Sequence, residues 1–359
     1  MRPGTRSAAT GQPDPVVRLA TYNVEWFNSL FDADGRLLDD DGPSGRFGVT
    51  RGAQLAALGT VFRALDPDAV MVIEAPDQGR GRSSVSALQA FAGHHRLRCR
   101  EALMGFANGS QQEIALLYDP DALHAVHAPV GVAIGHPGAL DQPRFDGVFR
   151  LDLDLDGTPE DIGFSKPPLE VAVQTRAGDR LRLIGVHVKS KAPHGARTPA
   201  QELRLAVENR RKQLAQCIWL RHRVMGHLAA GEALVVLGDF NDGPGLDEYE
   251  KLFGRSGLEI VLGWDEPHDV RLFDPHARLA LGSKLGASPV SARFFLAEEG
   301  RFFSALLDYI MVSPDLRARG PKWRIWHPFD DPACFADMAL RDALLMASDH
   351  FPVSIDLPA

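Results

Sequence analysis

Two short motifs place groups that can transfer protons or bind cations beside apolar runs. Asp239 and Asn241 follow the apolar run at 234–237, and Asp349 and His350 precede the apolar segment that begins at Phe351. Residues two apart in an extended chain point the same way, so the Asp239 carboxylate and the Asn241 amide face one site. The carboxylate can orient and activate a water, and the amide can hold that water or a phosphoryl oxygen. An ordinary turn after a strand favours the same residue types, so this motif alone leaves both interpretations open.

Two polar residues further upstream also end apolar runs. Asn23 closes the run that starts at Val16, and a buried Asn is costly unless it is hydrogen-bonded or lies near a cation. Glu74 closes the run at 70–73, where a carboxylate suits a hard cation such as Mg²⁺. A solvated strand end is the alternative interpretation of Glu74.

A second group of residues can handle protons. His187 ends the apolar run at 183–186, and Lys189 lies on the same side of an extended chain. Asp308 sits inside a strongly apolar run, so burying it requires a partner, and His350 is the natural candidate. Such a pair raises the basicity of the imidazole and fixes its tautomer. Asp349 then faces another direction, towards a metal. Each residue alone has a structural alternative, but the ordered set suits metal-assisted cleavage of a phosphate ester.

Short runs rich in Val, Ile and Leu predict the strands that position these groups. The predicted strands are Val16–Val24, Ala69–Ile73, Ile114–Tyr118, Leu169–Thr175, Leu181–Val188, Ala233–Leu237, Ala305–Val312 and Phe351–Ile355. The predicted helices are Thr50–Leu65, Ser83–Phe91 and Pro199–Leu228. Glycine- and proline-rich segments predict surface loops at Asp32–Gly48, Gly131–Asp146 and Gly263–Pro289. This order favours two mixed sheets packed face to face with helices outside.

The helix from Pro199 has the most specific signals. Thr198 can cap it and Gln201 completes a capping box. The predicted apolar stripe consists of Leu203, Val207, Leu214, Ile218, Met225 and Leu228.

The composition is that of a globular chain of 359 residues, with 45% hydrophobic and 24% charged residues. A net charge of -8 argues against a general nucleic-acid coating protein, although a local basic groove stays open. Cys99, Cys217 and Cys334 are far apart, which favours reduced core thiols. Residues 1–15 are predicted to be a disordered tail, and residues 16–359 a single domain. We expect a cytoplasmic monomer without a membrane span.

With these motifs in their order, the chain resembles the endonuclease/exonuclease/phosphatase superfamily, as a bacterial-type member. The matching segments lie at 21–24, 73–74, 114–118, 165–169, 185–191, 238–241, 307–310 and 348–350, so the resemblance spans nearly the whole chain. It implies an α+β fold, a four-layer αββα sandwich of two mostly antiparallel mixed sheets with outer helices. The site is implied to lie at one edge of the two sheets.

The resemblance also implies roles for single residues. Mg²⁺ or Mn²⁺ would be bound mainly by Glu74, with Asn23 and Asp349 nearby. Asp239, helped by Asn241, would activate or position the attacking water. His187 and His350, the latter oriented by Asp308, would contact the scissile phosphate. The implied substrate-binding residues are Tyr118, Lys166, Lys189 and Lys191.

This sequence departs from the family pattern at three places, one of which is Ala75-Pro76-Asp77, where the family has an aliphatic continuation after the Glu. Ile73 replaces the usual Gln before the metal-binding Glu, and Lys166 replaces an Arg, which keeps a cation but loses bidentate phosphate geometry. Family deoxyribonucleases pair the middle His with a carboxylate, for which Glu113 lies in about the right segment.

The predicted function is divalent-metal-dependent hydrolysis of a phosphate ester, with a phosphodiester as the leading substrate class. DNA or RNA is one candidate partner. A phosphomonoesterase, a phospholipid or inositol-phosphate hydrolase, and an inactive scaffold of the same fold are the alternatives. Between His187 and His227 the chain carries nine Lys or Arg against two acids. Lys189 and Lys191 are expected to hold a polyanionic substrate, whereas most later cations in this segment solvate a surface helix.

Overall fold

The two large sheets of this protein pack face to face, and their outer faces carry helices. The computed structural model describes residues 16–79, 81–152, 157–193, 195–243, 253–282, 288–296 and 300–358. The predicted tail at 1–15 and residue 359 lie outside the described residues. None of the helices in the described ranges combines the length and the hydropathy needed to cross a bilayer.

The first sheet has six strands with one parallel pair at its centre. In spatial order these are β14 (Lys322–Ile325), β15 (Val353–Pro358), β1 (Val16–Asn23), β2 (Ala69–Ala75), β4 (Glu113–Tyr118) and β3 (Glu101–Met104). β1 and β2 run parallel, with Asn23 opposite Ile73, while every other neighbouring pair is antiparallel. The β1–β15 pairing joins Val16 to Pro358, so residues from both ends of the chain meet inside one sheet.

The second sheet has five strands and repeats the same arrangement. In spatial order they are β13 (Asp308–Val312), β10 (Leu234–Asp239), β9 (Arg180–His187), β8 (Leu169–Thr175) and β5 (Leu123–His127). β9 and β10 are parallel, with His187 opposite Asp239, and the other pairs are antiparallel. Two hairpins stand apart from the sheets, β6–β7 (Phe149–Leu151 and Glu160–Ile162) and β11–β12 (Ala292–Leu296 and Arg301–Ala305).

Helices complete the outer layers. The described helices are α1 (Arg51–Leu65), α2 (Ser84–His95), α3 (Pro199–Ala229), α4 (Gly257–Leu262), α5 (Pro275–Gly282), α6 (Pro314–Ala318), α7 (Pro332–Ala336) and α8 (Met338–Ala347). A short 3₁₀ turn covers Phe27–Leu30. Thr198 caps α3 as predicted, and Thr50, which was predicted to lie inside the first helix, caps α1; each accepts a hydrogen bond from a backbone N–H. Gln201, however, accepts its bond from the backbone N–H of Arg197 rather than from that of the cap residue.

Three apolar layers hold the sandwich together. Alternating residues of β2 show why: Val70 and Val72 pack outward with α1, α2 and α8, whereas Met71 and Ile73 pack inward against the second sheet. The third layer lies between the second sheet and α3, where Trp219 is buried. Burial of both faces of a strand demands a continuous apolar run, which is the pattern that the sequence carries. The four-layer αββα architecture predicted from the resemblance is therefore confirmed.

Three predicted elements differ from the structure, one of which is the predicted loop Gly263–Pro289, since it contains α5 (Pro275–Gly282). The predicted strand Ala305–Val312 is two strands, because the chain leaves β12 at Ala305 and enters the second sheet only at Asp308. The predicted apolar stripe of α3 is wrong: Leu203 is 48% exposed, whereas Arg210, Gln213 and Gln216 are buried. These polar side chains face inward because loop groups near the site supply their hydrogen-bond partners.

Candidate functional site

The two parallel strand pairs end at one edge of the sandwich, and a cleft of about 670 Å³ opens there. Polar side chains at the carboxyl ends of four central strands therefore meet in one place. The predicted residues that line this cleft are Asn23, Glu74, Lys166, His187, Lys189, Asp239, Asn241, Asp349 and His350.

Asp239 lies at the centre of a hydrogen-bond network. Its Oδ2 accepts bonds from Asn23 Nδ2 at 3.0 Å and from Asn241 Nδ2 at 3.2 Å. Its Oδ1 accepts a bond from the backbone N–H of Asn241 at 2.7 Å. Burial raises the pKa of Asp239 to about 7, although the cationic His350 nearby opposes this shift. Asp239 and Asn241 thus face one site, as expected from the sequence, and Asn23 joins them.

Glycine is required immediately before Asp239. Gly238 has φ of 139°, and a Cβ there would lie 2.1 Å from the carbonyl oxygen of Val186. Asn241 adopts a left-handed conformation with φ of 47°, which Asn tolerates better than most residues. Gln213 of α3 stabilises this turn, since its Nε2 donates to the carbonyl oxygens of Phe240 and Asn241.

Glu74 departs from regular strand geometry. The pairing of β2 with β4 shifts register between Ile73 and Ala75, and Glu74 takes φ of 63° within this bulge. A bulge redirects a side chain, and a left-handed Glu is strained, so the carboxylate is held in its direction by the surrounding fold. Its Oε2 accepts a bond from the backbone N–H of Trp26 at 3.3 Å. Burial raises the pKa of Glu74, and the nearby Lys166 opposes this shift.

Several oxygen atoms that line the cleft fit a hard divalent cation. Asn23 Oδ1 is buried and accepts no hydrogen bond from any residue that the structure describes, although a buried amide oxygen normally has a partner. Glu74 and Asp349 supply carboxylates to the same cleft. Within the described ranges, no three His, Cys, Asp or Glu side chains converge as a complete ligand set. Mg²⁺ needs no such set, because it keeps several waters and takes one or two protein carboxylates.

His350 forms the predicted pair with Asp308. Its Nδ1 lies 2.7 Å from Asp308 Oδ2, so Nε2 is the ring nitrogen left for the cleft. Burial alone would lower the pKa of His350, but Asp308, Asp349 and Asp239 together raise it well above the ordinary value.

Ser291 supports this pair from behind. It is fully buried, its Oγ donates to Asp308 Oδ2 at 2.8 Å, and the same Oγ accepts the backbone N–H groups of Leu307 and Asp308. The backbone carbonyl of Ser291 also accepts the N–H of Phe351. The sequence analysis missed Ser291, since no strand or motif around it was apparent.

His187 contacts both a cation and a carboxylate. Lys166 Nζ lies 3.1 Å from its Nδ1 and 3.2 Å from its Nε2, while Asp239 Oδ2 lies 3.5 Å from Nε2. Burial, followed by Lys166 and His350, holds the pKa of His187 well below the ordinary value. The suggested pairing of this His with Glu113 is wrong, because the Glu113 carboxylate instead accepts bonds from Asn108 and Gln78.

Two predicted substrate-binding residues lie elsewhere. Tyr118 is opposite Ala69 at the far end of β2, because β4 runs antiparallel and carries its last residue away from the cleft. Lys191 Nζ pairs with the fully buried Asp242 at 2.7 Å, and Arg210 of α3 contacts the same carboxylate oxygen. Lys191 therefore holds the loop after Asn241 in place and does not line the cleft.

Other cleft residues were not proposed as site residues from the sequence. Trp26 and Phe294 are aromatic residues of the lining, and Glu25 is an acidic one besides Glu74, Asp239 and Asp349. Arg46 forms a short ion pair with Glu25 and donates to the carbonyl oxygen of Leu345, so it fixes that carboxylate. Alternation with Asn23 is the only sequence signal that marks Glu25.

Comparison with known proteins places this architecture in a family. A family model described as the endonuclease/exonuclease/phosphatase family matches residues 20–350. No curated protein sequence matches the chain. Among solved structures, an endonuclease/exonuclease/phosphatase family protein from Bacteroides thetaiotaomicron is 13% identical with a TM-score of 0.50. The match covers 97% of this chain and 96% of that one.

Two further structures match at lower scores. TDP2 from Caenorhabditis elegans is 14% identical with a TM-score of 0.48, covering 96% of this chain and 75% of that one. The 3′ phosphatase NExo from Neisseria, bound to a product DNA hairpin, is 16% identical with a TM-score of 0.46, covering 95% of this chain and 99% of that one. With the family model matching most of its length, the chain belongs to the endonuclease/exonuclease/phosphatase family.

Proposed function

We propose that this protein hydrolyses phosphodiesters with a divalent metal ion, as a nuclease or phosphodiesterase. Members of its family are typically hydrolases that act on phosphoester bonds. The observation that carries the proposal is that one cleft holds both kinds of group. Oxygen ligands that include Glu74 and Asn23 line it together with the nitrogen groups of Lys166, His187 and His350. A phosphodiester between them would meet a cation site and hydrogen-bond donors together.

Asp239 is the group that we assign to the attacking water. Its carboxylate is fixed by Asn23 and Asn241 and lies 3.5 Å from His187. A carboxylate held by three donors cannot rotate freely, so a water bound to it is oriented before the reaction begins. We assign Asn241 to holding this carboxylate, since its Nδ2 bonds to both Asp239 and the carbonyl oxygen of Val188.

The imidazoles and Lys166 are assigned to the phosphoryl oxygens. Asp308 fixes the orientation of His350 and leaves Nε2 for a donor bond to the substrate. Lys166 adds a positive charge beside His187, and donors aimed at developing charge stabilise a transition state more than a ground state.

Glu74, with Asn23 Oδ1 and Asp349, would hold Mg²⁺ or Mn²⁺. An ion bound there supplies Lewis acidity that withdraws charge from a phosphoryl oxygen. The oxygen-rich donor set fits these ions better than Zn²⁺, which favours His and Cys ligands.

The direct test is the substitution Glu74→Gln combined with removal of divalent ions. We expect excess chelator to abolish hydrolysis of a phosphodiester and Mg²⁺ to restore it in the native protein only. Glu74→Gln should lower kcat/KM by about a thousandfold, since a metal contributes several kcal/mol to the transition state. Glu202→Gln, on the exposed first turn of α3, is the matched control. Full activity in chelator would refute the proposal.

A further inference from the structure

Trp26 stands at the lip of the cleft in an unusual conformation. It lines the cleft, yet its side chain is 50% exposed. Its backbone is left-handed, with φ of 51° and ψ of 39°. A bulky residue rarely adopts this conformation, and such strain persists only where surrounding structure enforces it. Core packing therefore does not explain why Trp26 adopts this conformation.

Local contacts fix Trp26 from several directions. Its carbonyl oxygen accepts bonds from the backbone N–H of Ser29 at 2.9 Å and from Ser29 Oγ at 2.7 Å. Ser29 Oγ accepts the N–H of Gly45, and a Cβ on Gly45 would lie 2.3 Å from Trp26 Cβ. The backbone N–H of Trp26 donates to Glu74. An exposed indole is thus held rigidly next to a carboxylate that we assign to the metal.

A second aromatic ring lines the same cleft. Phe294 of β11 packs against Phe303 of β12, with ring centroids 5.4 Å apart. The hairpin is joined to the site by a bridge between Ala292 and His350 and by a bond from the Arg293 N–H to the Asp349 carbonyl oxygen at 2.6 Å. The position of Phe294 is therefore coupled to the residues assigned to catalysis.

We propose that Trp26, together with Phe294, stacks against an unpaired nucleobase beside the scissile phosphate. The substrate class is then single-stranded nucleic acid or an unpaired end. Rings that project into a cleft beside lysines match a ligand with alternating planar and anionic groups. A bilayer is the less suitable partner, because the carboxylates of Glu25 and Glu74 line the same cleft as the indole. This inference rests on the proposed function, of which it names the substrate.

The kinetic test uses two variants of Trp26 and two substrates. Trp26→Gly removes the ring but keeps a residue that adopts positive φ readily, and Trp26→Phe keeps a ring. The substrates are a thymidine oligonucleotide and the same backbone with abasic units. Trp26→Gly should raise KM for the thymidine substrate about tenfold and change KM for the abasic one by less than about twofold. Trp26→Phe should stay near the native value.

Phe47→Ala is the matched control, since Phe47 is 97% exposed in the neighbouring loop and does not line the cleft. We expect native KM values on both substrates for this variant. Equal losses on both substrates in Trp26→Gly would overturn the inference and leave Trp26 as a support for Glu74.

A binding measurement separates this inference from the proposed activity. In chelator, the thymidine oligonucleotide should quench the tryptophan fluorescence of the native protein, and Trp26→Gly should lose that quenching. Absence of hydrolysis on every substrate, with quenching intact, would refute the proposed function and support the stacking. Unchanged quenching in Trp26→Gly, or a blue shift with phosphatidylglycerol vesicles in place of quenching by the oligonucleotide, would overturn the stacking.

Discussion

Ser291 shows how one uncharged residue can determine the geometry of a charged pair. Its hydroxyl donates to the same Asp308 oxygen that binds His350, and accepts two backbone N–H groups. Ser291→Ala should therefore free the Asp308 carboxylate to rotate and misalign His350. We expect kcat to fall about tenfold with little change in KM, since aligned groups act mainly in the transition state. Steady-state kinetics on the best phosphodiester would measure this split.

Ser313→Ala provides a matched control for that experiment. Ser313 is equally buried at the other end of β13, where its Oγ accepts the N–H of Leu234. Loss of a buried bond should cost both variants about 1–3 kcal/mol of stability. Only Ser291→Ala should lose activity, and Ser291→Thr, which keeps the hydroxyl, should recover most of it. Parallel activity losses in Ser291→Ala and Ser313→Ala would mean that destabilisation alone explains the effect.

Lys189 and Lys191 are expected to act differently despite their spacing. Lys189 lines the cleft, whereas Lys191 pairs with buried Asp242. Lys189→Ala should raise KM for a polyanionic substrate and flatten its salt dependence, because one phosphate contact is lost. Lys191→Ala should instead lower the free energy of unfolding by about 1–3 kcal/mol, since a charge-assisted bond to a buried carboxylate is lost. Denaturant unfolding and salt-dependent kinetics on both variants distinguish the two roles, and a larger KM change for Lys191→Ala would contradict them.

The residues just after β9 and β10 show how far along the chain strand alternation predicts the direction of a side chain. Asp239 and Asn241 face one site as expected, but the two-residue period of β10 ends at Asp239, and the left-handed turn at Asn241, with φ of 47°, returns its amide to Asp239. β9 ends at His187, so the two-residue alternation of an extended strand no longer determines the direction of the Lys191 side chain. Ser291 and Trp26 carried no periodic signal at all, since contacts distant in sequence or local strain define their positions.

Among the helices, the packing of α2 on α1 contains a titratable group. His95 stacks on Phe91, and a Cβ on Gly59 of α1 would lie 2.1 Å from its Nδ1. Burial lowers the pKa of His95 to about 4; His94 and Arg63 add to the shift, and Asp39 opposes it. The folded state disfavours the protonated ring, so the stability is fully present above pH 6.5 and is lost as pH falls towards 4. Because the ring is half exposed, we expect a loss of only about 1 kcal/mol.

Urea unfolding at pH 7.5 and pH 5 would measure this loss. In His95→Gln the difference in unfolding free energy between the two pH values should shrink by about that amount. His94→Gln, at the exposed neighbouring position, removes the same group without the close contact to Gly59 and should keep the native difference. If His95→Gln also kept the native pH dependence, helix packing would not be its source.

For helix α3, the sequence predicted where the helix begins but not which face is buried. Its start at Pro199 and its cap at Thr198 were predicted, because capping depends on neighbouring residues only. Its buried face was mispredicted because Gln213 and Gln216 find partners in loops far along the chain, including Phe240, Lys189 and Gly163. Hydrophobic periodicity does not record such bonds.

For the molecule as a whole, the two sheets must approach closely for the two halves of the cleft to meet. Gly185 of β9 faces Met71 of β2, and a Cβ there would lie 2.3 Å from Met71 Sδ. Gly185→Ala should therefore overpack the interface and lower the unfolding free energy by about 1–3 kcal/mol. Met71→Ala should relieve this clash, so the double variant should be more stable than the sum of the single effects predicts.

Denaturant unfolding of the four proteins in this cycle gives the coupling energy. Additive changes in the free energy of unfolding would show that the sheets accommodate the added methyl group without a clash with Met71.

The sandwich itself was foreseeable from the sequence, since strands buried on both faces require two covering layers. The closeness of the two sheets at Gly185 was not, because it depends on which side chains oppose each other across the core.

The pairing of β1 with β15 imposes an order on assembly during protein synthesis. Asn23 is made early, but Asp349, His350 and the strand that borders β1 are made only when the ribosome reaches residues 348–358. Until then β1 lacks its antiparallel neighbour, and His187 and Asp239 have no His350 beside them. The cleft therefore stays incomplete until residues 348–358 have been synthesised, although most of the preceding chain has already left the ribosome. A message cut short before codon 349 would give a product without Asp349 and His350.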